Sequence, residues 1–467
     1  MEKFDLIVIG SGPAGEKAAA KAAYFRKKVA LIEKENRYGG AGVNTGTLPS
    51  KTLKETALYI SGKYDKGLFG IDKQFNSQAT LQHFMYRKNL VVEWQGKEVK
   101  DNLLLHGVKV FHGSASFADK NRITIEGEDA CEICGDFILI ATGSYPFHPD
   151  NIPFDSKKVH DSDSILEISN LPESLCVVGA GVIGCEYATI FATMGTKVYL
   201  INHSKEILPF IDREIADSLV EQMRSARIEL LFENSVDRIE APQGDDRLRI
   251  HLKSGSMLET EMFLYAAGRS AATKNLRCEN AGVKLGSREV IEVDAQYRSS
   301  VPHIFAVGDV IGFPALASTS MDQGRVAVSH MFGLKDLPAI APELPYGIYT
   351  VPEVSMIGMT EEEAKKKNID YCTGTARYSD MPRGKIMGIK DGFLKLVFER
   401  ESKIILGVHI IGPLASEIIH YGMNIVQDKT DLSGILTDVF NYPTLHDLYK
   451  YACYDGLGNL AGYKIKK

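Results

Sequence analysis

Residues 4–15 read FDLIVIGSGPAG, an apolar run followed by glycines in a G-x-G-x-x-G pattern. An alanine-rich stretch follows, and a second apolar run, residues 29–32, ends at Glu33. Strand, glycine-rich turn, helix, strand and acid in this order are typical of a dinucleotide-binding βαβ unit. The turn lets a pyrophosphate approach the helix N-terminus, and the acid accepts hydrogen bonds from a ribose. The predicted nucleotide-binding residues are Gly10, Gly12, Gly15 and Glu33; the alternative is a tight turn that binds nothing.

The same pattern recurs in residues 175–184, which read LCVVGAGVIG. Glu33 stands 18 positions after the last glycine of the first unit, and the matching position of the second unit is Asn202. A carboxylate there would repel the 2′-phosphate of NADP by on the order of a few kcal/mol. Asn202 removes that repulsion and can hydrogen-bond a ribose hydroxyl, and His203 adds modest positive character. We therefore expect a site that accepts both NAD and NADP, formed by Gly179, Gly181, Gly184, Asn202 and His203; an ordinary polar turn is the alternative.

Composition narrows the class of protein. The chain has 467 residues and a net charge of −6, so it offers no excess of basic residues to a nucleic acid. No apolar run approaches the roughly 20 residues that cross a bilayer, and residues 4–9 predict a strand close to the N-terminus, so we expect no signal peptide. The seven cysteines are scattered, and the pair Cys131 and Cys134 has no second Cys or His pair nearby for zinc. We expect a cytoplasmic protein of two to four domains without a metal.

A third stretch carries a family resemblance. Residues 39–51 read GGAGVNTGTLPSK. This resembles the active-site segment G-G-x-C-x-N-x-G-C-x-P-S-K of the flavoprotein disulfide reductases, but Gly42 and Thr47 occupy the two cysteine positions. A disulfide relay needs a thiolate to attack and a second sulfur to leave. The chain therefore resembles a disulfide reductase scaffold that cannot reduce disulfides by the family's route.

The resemblance implies an α/β fold with two Rossmann-like dinucleotide-binding domains and an α+β dimerisation domain. It assigns residues 1–150 and 271–340 to an FAD-binding domain, 151–270 to an NAD(P)-binding domain and 341–467 to dimerisation, and it implies a homodimer. Within the last segment, Thr360 and Glu363 form a T-x-x-E pattern that predicts a helix cap.

The resemblance also implies roles for individual residues. Lys51 would lie near the flavin N5 and pair with Glu186 of the second nucleotide unit, and these two are the expected catalytic residues. Asp309 would hydrogen-bond the ribityl chain of the flavin. The other cofactor-binding residues implied in this way are Gly40, Gly46, Thr142, Gly143, Gly308, Leu316, Ala317 and, closing the nicotinamide unit, Gly268.

Near the C-terminus the family carries H-P-T-x-x-E, whose His–Glu pair serves the partner's active site. Here residues 442–447 read YPTLHD, so Tyr442 replaces the histidine and Asp447 the glutamate. A histidine base shuttles protons at neutral pH, whereas a tyrosine with a reference pKa near 10 is a poor replacement. His446 stands one residue off the template. The relay has thus lost both sulfurs and its base.

Hydride exchange between a nicotinamide and a flavin needs none of these lost groups, because the cofactors carry the chemistry. Within the family the chain is most similar to the soluble pyridine nucleotide transhydrogenases, in GAGVIGCEYA at 179–188, LIN at 200–202 and NYPT at 441–444. That group usually keeps the first cysteine, so Gly42 is a departure. We expect ping-pong hydride transfer from NADPH to NAD⁺ through FAD. The alternatives are an NAD(P)H:quinone or dye reductase and a non-catalytic FAD-binding protein that only binds partners; the preferred direction and the true electron acceptor stay open.

Overall fold

The structure, a computed structural model, describes residues 1–62, 77–241 and 247–463, with the backbone alone over 77–84. Its first segment runs from residue 2 to residue 146. The elements are β1 (Glu2–Ile9), α1 (Pro13–Tyr24), β2 (Val29–Glu33), α2 (Gly40–Asn44), α3 (Thr47–Ile60), α4 (Ser77–Leu105), β3 (Lys109–His112), β4 (Ser114–Phe117), β5 (Arg122–Glu126), β6 (Cys131–Ile140) and β7 (Ser144–Pro146).

A sheet in the order β3-β2-β1-β6-β5-β4 forms the centre of this segment. Its inner strands are parallel, and Ile7 of β1 lies opposite Ala30 on one side and Ile138 on the other. All three side chains are buried, as expected for a parallel strand covered on both faces. The continuous apolar runs of the sequence thus become the middle of the sheet.

The second segment holds the other glycine-rich turn. Its elements are β8 (Val159–Asp161), β9 (Ser174–Val178), α5 (Val182–Thr193), β10 (Lys197–Ile201), α6 (Arg213–Ser225), β11 (Glu229–Leu231), β12 (Val236–Glu240), β13 (Leu248–Leu252), β14 (Met257–Thr260), β15 (Met262–Tyr265) and β16 (Arg269–Ala271). A sheet in the order β11-β10-β9-β15-β8 is parallel, and β12, β13 and β14 form a separate antiparallel sheet.

The chain then returns to the first sheet through α7 (Cys278–Ala281), β17 (Ile304–Ala306) and α8 (Ala317–Phe332). Strand β17 pairs with β6 in parallel, with Phe305 opposite Leu139. The outgoing strand β7 and the returning strand β16 pair antiparallel, with Tyr145 opposite Ser270. The second segment is therefore inserted into the first through a two-stranded link.

The C-terminal segment contains β18 (Tyr346–Ile348), β19 (Val354–Gly358), α9 (Glu361–Lys366), β20 (Tyr371–Arg377), α10 (Pro382–Ile386), β21 (Phe393–Glu399), β22 (Ile405–Ile411), α11 (Ala415–Gln427), α12 (Leu432–Thr437) and α13 (Asp447–Leu460). Its antiparallel sheet has the order β18-β19-β22-β21-β20. The predicted capping box at Thr360 and Glu363 is confirmed, with both reciprocal hydrogen bonds present. The predicted fold class, two Rossmann-like units and an α+β unit, is also confirmed.

A buried ion cluster joins the second segment to the C-terminal one. The ammonium of Lys395 on β21 lies 2.9 Å from Oδ1 of Asp212, which caps α6, and it also contacts Glu361 of α9. Burial opposes the charge of Lys395, but the carboxylates of Asp212 and Glu361 outweigh it and hold its pKa above the ordinary value. In the described part of the chain, no helix has both the length and the apolar character needed to cross a membrane.

Candidate functional site

A cavity of about 2160 Å³ opens between the three segments. Both glycine-rich turns face it, together with the start of α3 and the start of β18. Most of the residues predicted from sequence line this one cavity: Gly10, Gly12, Glu33, Gly40, Gly46, Lys51, Thr142, Gly143, Gly179, Gly181, Glu186, Asn202, His203, Gly268, Gly308, Asp309, Leu316 and Ala317.

Gly15 and Gly184 lie behind the turns instead of on the cavity wall. A Cβ on Gly15 would stand 2.0 Å from the carbonyl oxygen of Gly10, and a Cβ on Gly184 would stand 1.8 Å from that of Gly179. Only glycine permits this approach of helix to turn. The third glycine of each pattern therefore shapes the turn and does not line the cavity.

Glu33 braces the first glycine-rich turn. Its Oε2 accepts hydrogen bonds from the backbone N–H of Ser11 (2.9 Å) and from the Ser11 hydroxyl (2.6 Å), and its Oε1 accepts one from the N–H of Glu35 (2.9 Å). Gly10 has a φ of +105°, and a Cβ there would lie 2.5 Å from the carbonyl oxygen of Ala141. The predicted contact of Glu33 with a ribose stays a prediction. Sequence reasoning did not find Ser11, since a serine inside the glycine pattern carries no distinctive signal.

The cavity wall around the first turn fits a flavin nucleotide. The hydroxyl of Thr142 and the amide oxygen of Asn44 are buried there without a hydrogen-bond partner among the described residues. Gly308 has a φ of +78°, and its N–H donates to Gln323 at 2.8 Å, which fixes the turn that presents Asp309. Polar atoms without partners beside glycine-lined backbone are what an extended phosphate- and hydroxyl-bearing ligand requires.

A polar chain links Asp309 to the second segment. The Ser144 hydroxyl donates to Oδ2 of Asp309 at 2.9 Å, and Nε of Arg269 donates to the same hydroxyl oxygen at 2.9 Å. Arg269 also donates to Ser162 and to Asp163, both at 3.1 Å. Because Arg269 occupies the Ser144 oxygen, the hydroxyl proton is directed to Asp309. Sequence reasoning found Asp309 but not Ser144 or the bridging role of Arg269.

Lys51 and Glu186 form the ion pair expected from the resemblance. The Lys51 ammonium lies 2.7 Å from Oε2 and 2.9 Å from Oε1 of Glu186, although 135 residues separate them. Lys51 stands on α3 and Glu186 on α5, so the pair joins the first and second segments. The Glu186 carboxylate also accepts the backbone N–H of Tyr349 at 2.9 Å. The Glu186 side chain is 4% exposed, whereas that of Lys51 is 23% exposed toward the cavity.

Asn202 is bound to its own loop. Its amide nitrogen donates to the hydroxyl of Ser204 and to the carbonyl oxygen of Glu206, both at 2.8 Å. Its amide oxygen accepts the N–H of Ala180 in the glycine-rich turn at 3.2 Å. The amide therefore ties the loop to the turn, and donating to a ribose would mean giving up one of these hydrogen bonds. His203, in contrast, is exposed on the cavity wall.

No sulfur stands where the family's relay would lie. A Cβ on Gly42 would be 2.8 Å from Cγ of Pro13, so this segment is packed for glycine. All seven cysteines are free thiols, and none is among the described residues that line the cavity. Cys131 and Cys134 both lie on β6, and within the described residues no group of His, Cys, Asp or Glu side chains could hold a metal.

The C-terminal positions lie apart from the cavity. Tyr442 is 75% exposed, and His446 packs against the rings of Tyr449, Phe440 and Tyr421. Burial lowers the pKa of His446. His446 is thus part of an aromatic cluster.

Comparison with known proteins agrees with this architecture. Residues 4–324 match the family described as pyridine nucleotide-disulphide oxidoreductase, and residues 344–453 match the dimerisation domain of that family. The chain is 40% identical over 463 residues to a soluble pyridine nucleotide transhydrogenase of Mycobacterium bovis, covering 98% of each chain. It is 38% identical to one of Colwellia psychrerythraea, covering 98% of this chain and 100% of the relative.

A solved structure has the same fold over nearly the whole length of the chain. The HOCl-induced flavoprotein disulfide reductase RclA of Escherichia coli, in a Cu(II) complex, superposes with a TM-score of 0.88 at 27% identity over 97% of this chain and 99% of the other. The family inferred from residues 39–51 is confirmed: this chain belongs to the pyridine nucleotide-disulphide oxidoreductases.

Proposed function

We propose that the protein transfers hydride from NADPH to NAD⁺ through bound FAD, in a ping-pong reaction without a disulfide relay. The observation that carries this proposal is the shared cavity: two glycine-rich turns face one space, and the Lys51–Glu186 pair stands between them. The full-length relatives are named soluble pyridine nucleotide transhydrogenases. FAD, NAD and NADP are the cofactors in this account.

Bound FAD would supply the hydride acceptor and donor, its N5. The residues of the chain bind and orient. The first turn would hold the FAD pyrophosphate and Asp309 its ribityl chain, with Thr142 and Asn44 offering free polar atoms. The second turn takes the nicotinamide nucleotide, and His203 stands on the wall of its loop. Lys51 and Glu186 would hold a cation and an anion beside the bound flavin, and no residue would act as a nucleophile.

The two half-reactions test this proposal. Under anaerobic conditions, NADPH is mixed with the FAD-loaded protein and the flavin absorbance near 450 nm is followed; an NAD⁺ analogue with a shifted absorbance is added after NADP⁺ is removed. We expect NADPH to bleach the flavin and the analogue to restore its colour while becoming reduced. Bleaching without return to the analogue would refute hydride transfer between nucleotides.

The same experiment separates the alternatives. A quinone that restores the flavin absorbance where the NAD⁺ analogue does not would establish the quinone or dye reductase. A flavin that NADPH leaves unbleached is the result that the non-catalytic, partner-binding alternative predicts.

We also propose a homodimer in the cytoplasm. The match to the dimerisation domain supports the dimer, and so do the large exposed side chains Val439, Tyr442, Tyr451 and Tyr454 near the C-terminus. The free thiols support a reducing compartment. The proposed domain limits are 1–150 with 271–340 for FAD, 151–270 for NAD(P) and 341–467 for the dimer contact.

A further inference from the structure

Tyr349 joins both members of the Lys51–Glu186 pair. Its ring centroid lies 4.7 Å from the Lys51 ammonium, and its backbone N–H donates to Oε1 of Glu186 at 2.9 Å. Tyr349 follows directly after β18 of the C-terminal segment, and it lines the cavity. The ion pair between the two nucleotide units is therefore completed by a residue from the third segment.

A second lysine of α3 lies near the same ring. The Lys54 ammonium, one helical turn beyond Lys51 on α3, lies 5.7 Å from the same centroid. Lys54 is buried and contacts the carboxylate of Glu353, which in turn accepts the hydroxyl of Ser416 at 2.7 Å. This second ion pair joins α3 to the residue that precedes β19, so the helix and the segment that flank the ring are held together by a buried contact.

The segment after β18, which carries Tyr349, has one more attachment to α5. The N–H of Val351 donates to the hydroxyl of Thr189 at 3.1 Å. Thr189 lies on α5, three residues after Glu186. The backbone on both sides of residue 350 is thus held to the helix that carries the carboxylate. The backbone from which the ring extends is therefore held by the fold beside the ion pair.

We propose that Tyr349 is a positioning residue for hydride transfer, with its ring and backbone N–H holding the Lys51 ammonium and the Glu186 carboxylate in place at the cavity. This inference rests on the proposed function. A cation facing an aromatic ring is attracted to the negative face of that ring. The ring thus limits where the ammonium can lie without adding a competing charge, and the rate of hydride transfer depends steeply on such placement.

Two variants separate the ring from the hydroxyl. Tyr349→Leu keeps the backbone N–H and an apolar side chain but loses the aromatic face; Tyr349→Phe keeps the face. The matched control is Tyr199→Leu, because that ring also lies 4.7 Å from a lysine, Lys197, but does not line the cavity. The first measurement is the rate constant of flavin reduction by NADPH in rapid mixing, together with the KM for NADPH.

We expect Tyr349→Leu to lower the reduction rate constant roughly tenfold with little change in KM, because placement and not binding is lost. Tyr349→Phe should restore most of the rate, and Tyr199→Leu should match the unmodified protein. In a Lys51→Met background, adding Tyr349→Leu should lower the reduction rate constant by less than about twofold, since the ring acts through Lys51. Equal losses in both backgrounds, or a wild-type rate in Tyr349→Leu, would overturn the inference.

A second measurement does not depend on turnover. The rate at which an acylating reagent modifies Lys51 is followed by mass spectrometry, with Lys197 as the internal comparison. We expect Tyr349→Leu to raise the modification rate of Lys51 several-fold and Tyr349→Phe to leave it unchanged; no increase in Tyr349→Leu contradicts the inference. If NADPH fails to reduce the flavin of the unmodified protein, the proposed function fails, while this measurement still decides the placement of Lys51.

Discussion

Asn202 makes all its described hydrogen bonds within the protein. The amide connects the glycine-rich turn at Ala180 with Ser204 and Glu206 of the loop after β10. Because its amide nitrogen is engaged in the loop, we predict that Asn202 also influences nucleotide choice through the shape of that loop. The expected direct contact with a ribose hydroxyl stays a prediction.

We predict that Asn202→Leu raises the KM for NADPH and for NADH by similar factors. Leucine is close to asparagine in size and is likewise uncharged, but it forms no hydrogen bonds. Leaving buried partners of the amide unsatisfied costs roughly 1–3 kcal/mol, so an increase of about tenfold is expected for both nucleotides. Steady-state kinetics with each nucleotide measures it, with Ser204→Ala as the milder control. An increase confined to NADPH would show direct contact of the amide with the 2′-phosphate end.

At the scale of elements, His409 on β22 is fully buried. Its Nε2 lies 3.0 Å from the carbonyl oxygen of Met359, while its Nδ1 has no partner among the described residues. Burial lowers the pKa of His409, and the positive charge of Lys395 lowers it further. The negative charges of Asp212 and Glu362 raise it, but burial outweighs them. The imidazole is therefore neutral in the folded protein at pH values where the unfolded chain takes up a proton.

This histidine predicts a pH dependence of stability. Below the unfolded pKa of about 6.5 the unfolded state binds a proton that the folded state does not, so the free energy of unfolding falls as pH falls, by up to about 1.4 kcal/mol per pH unit. His160 is a second buried histidine with a lowered pKa and adds to the effect. Denaturant unfolding between pH 7.5 and 5 should show a shallower decline in His409→Gln. An identical decline would mean that His409 is protonated in the folded state.

The buried cluster around Lys395 couples β21 to α6. We predict that Lys395→Met lowers the free energy of unfolding by about 3–5 kcal/mol, because it leaves the buried Asp212 carboxylate without its cation. Asp212→Asn in the same chain should recover much of this loss, since asparagine still caps α6. Denaturant unfolding measures both, with the exposed Lys366→Met as control. If the double variant is as unstable as the single one, the loss comes from packing and not from the unpaired charge.

Local sequence patterns predict the secondary-structure elements better than they predict the contacts between elements. The two glycine patterns and the Thr360 capping box act within a few residues, so the sequence shows them directly. The hydrogen bond between Lys395 and Asp212 spans 183 residues, and no local pattern announces it. The Lys51–Glu186 pair spans 135 residues and was predicted through family resemblance alone.

At the scale of the whole molecule, the reactive space is assembled by topology. The second segment is inserted through β7 and β16, and the third segment places Tyr349 beside the ion pair that the other two form. The insertion could be predicted because the flavin motif returns at Asp309. The contribution of Tyr349 could not, since a tyrosine ahead of β19 has no signal of its own until the three segments are placed together.

In the proposed reaction, electrons leave the flavin through a nicotinamide and not through sulfur. The most direct test is anaerobic steady-state oxidation of NADPH with an NAD⁺ analogue as acceptor, beside parallel reactions with lipoamide and glutathione disulfide. We expect turnover with the analogue, with parallel lines in double-reciprocal plots at several analogue concentrations. With the disulfides we expect only background rates. Disulfide reduction at a rate equal to or above that of the analogue would contradict the proposed reaction.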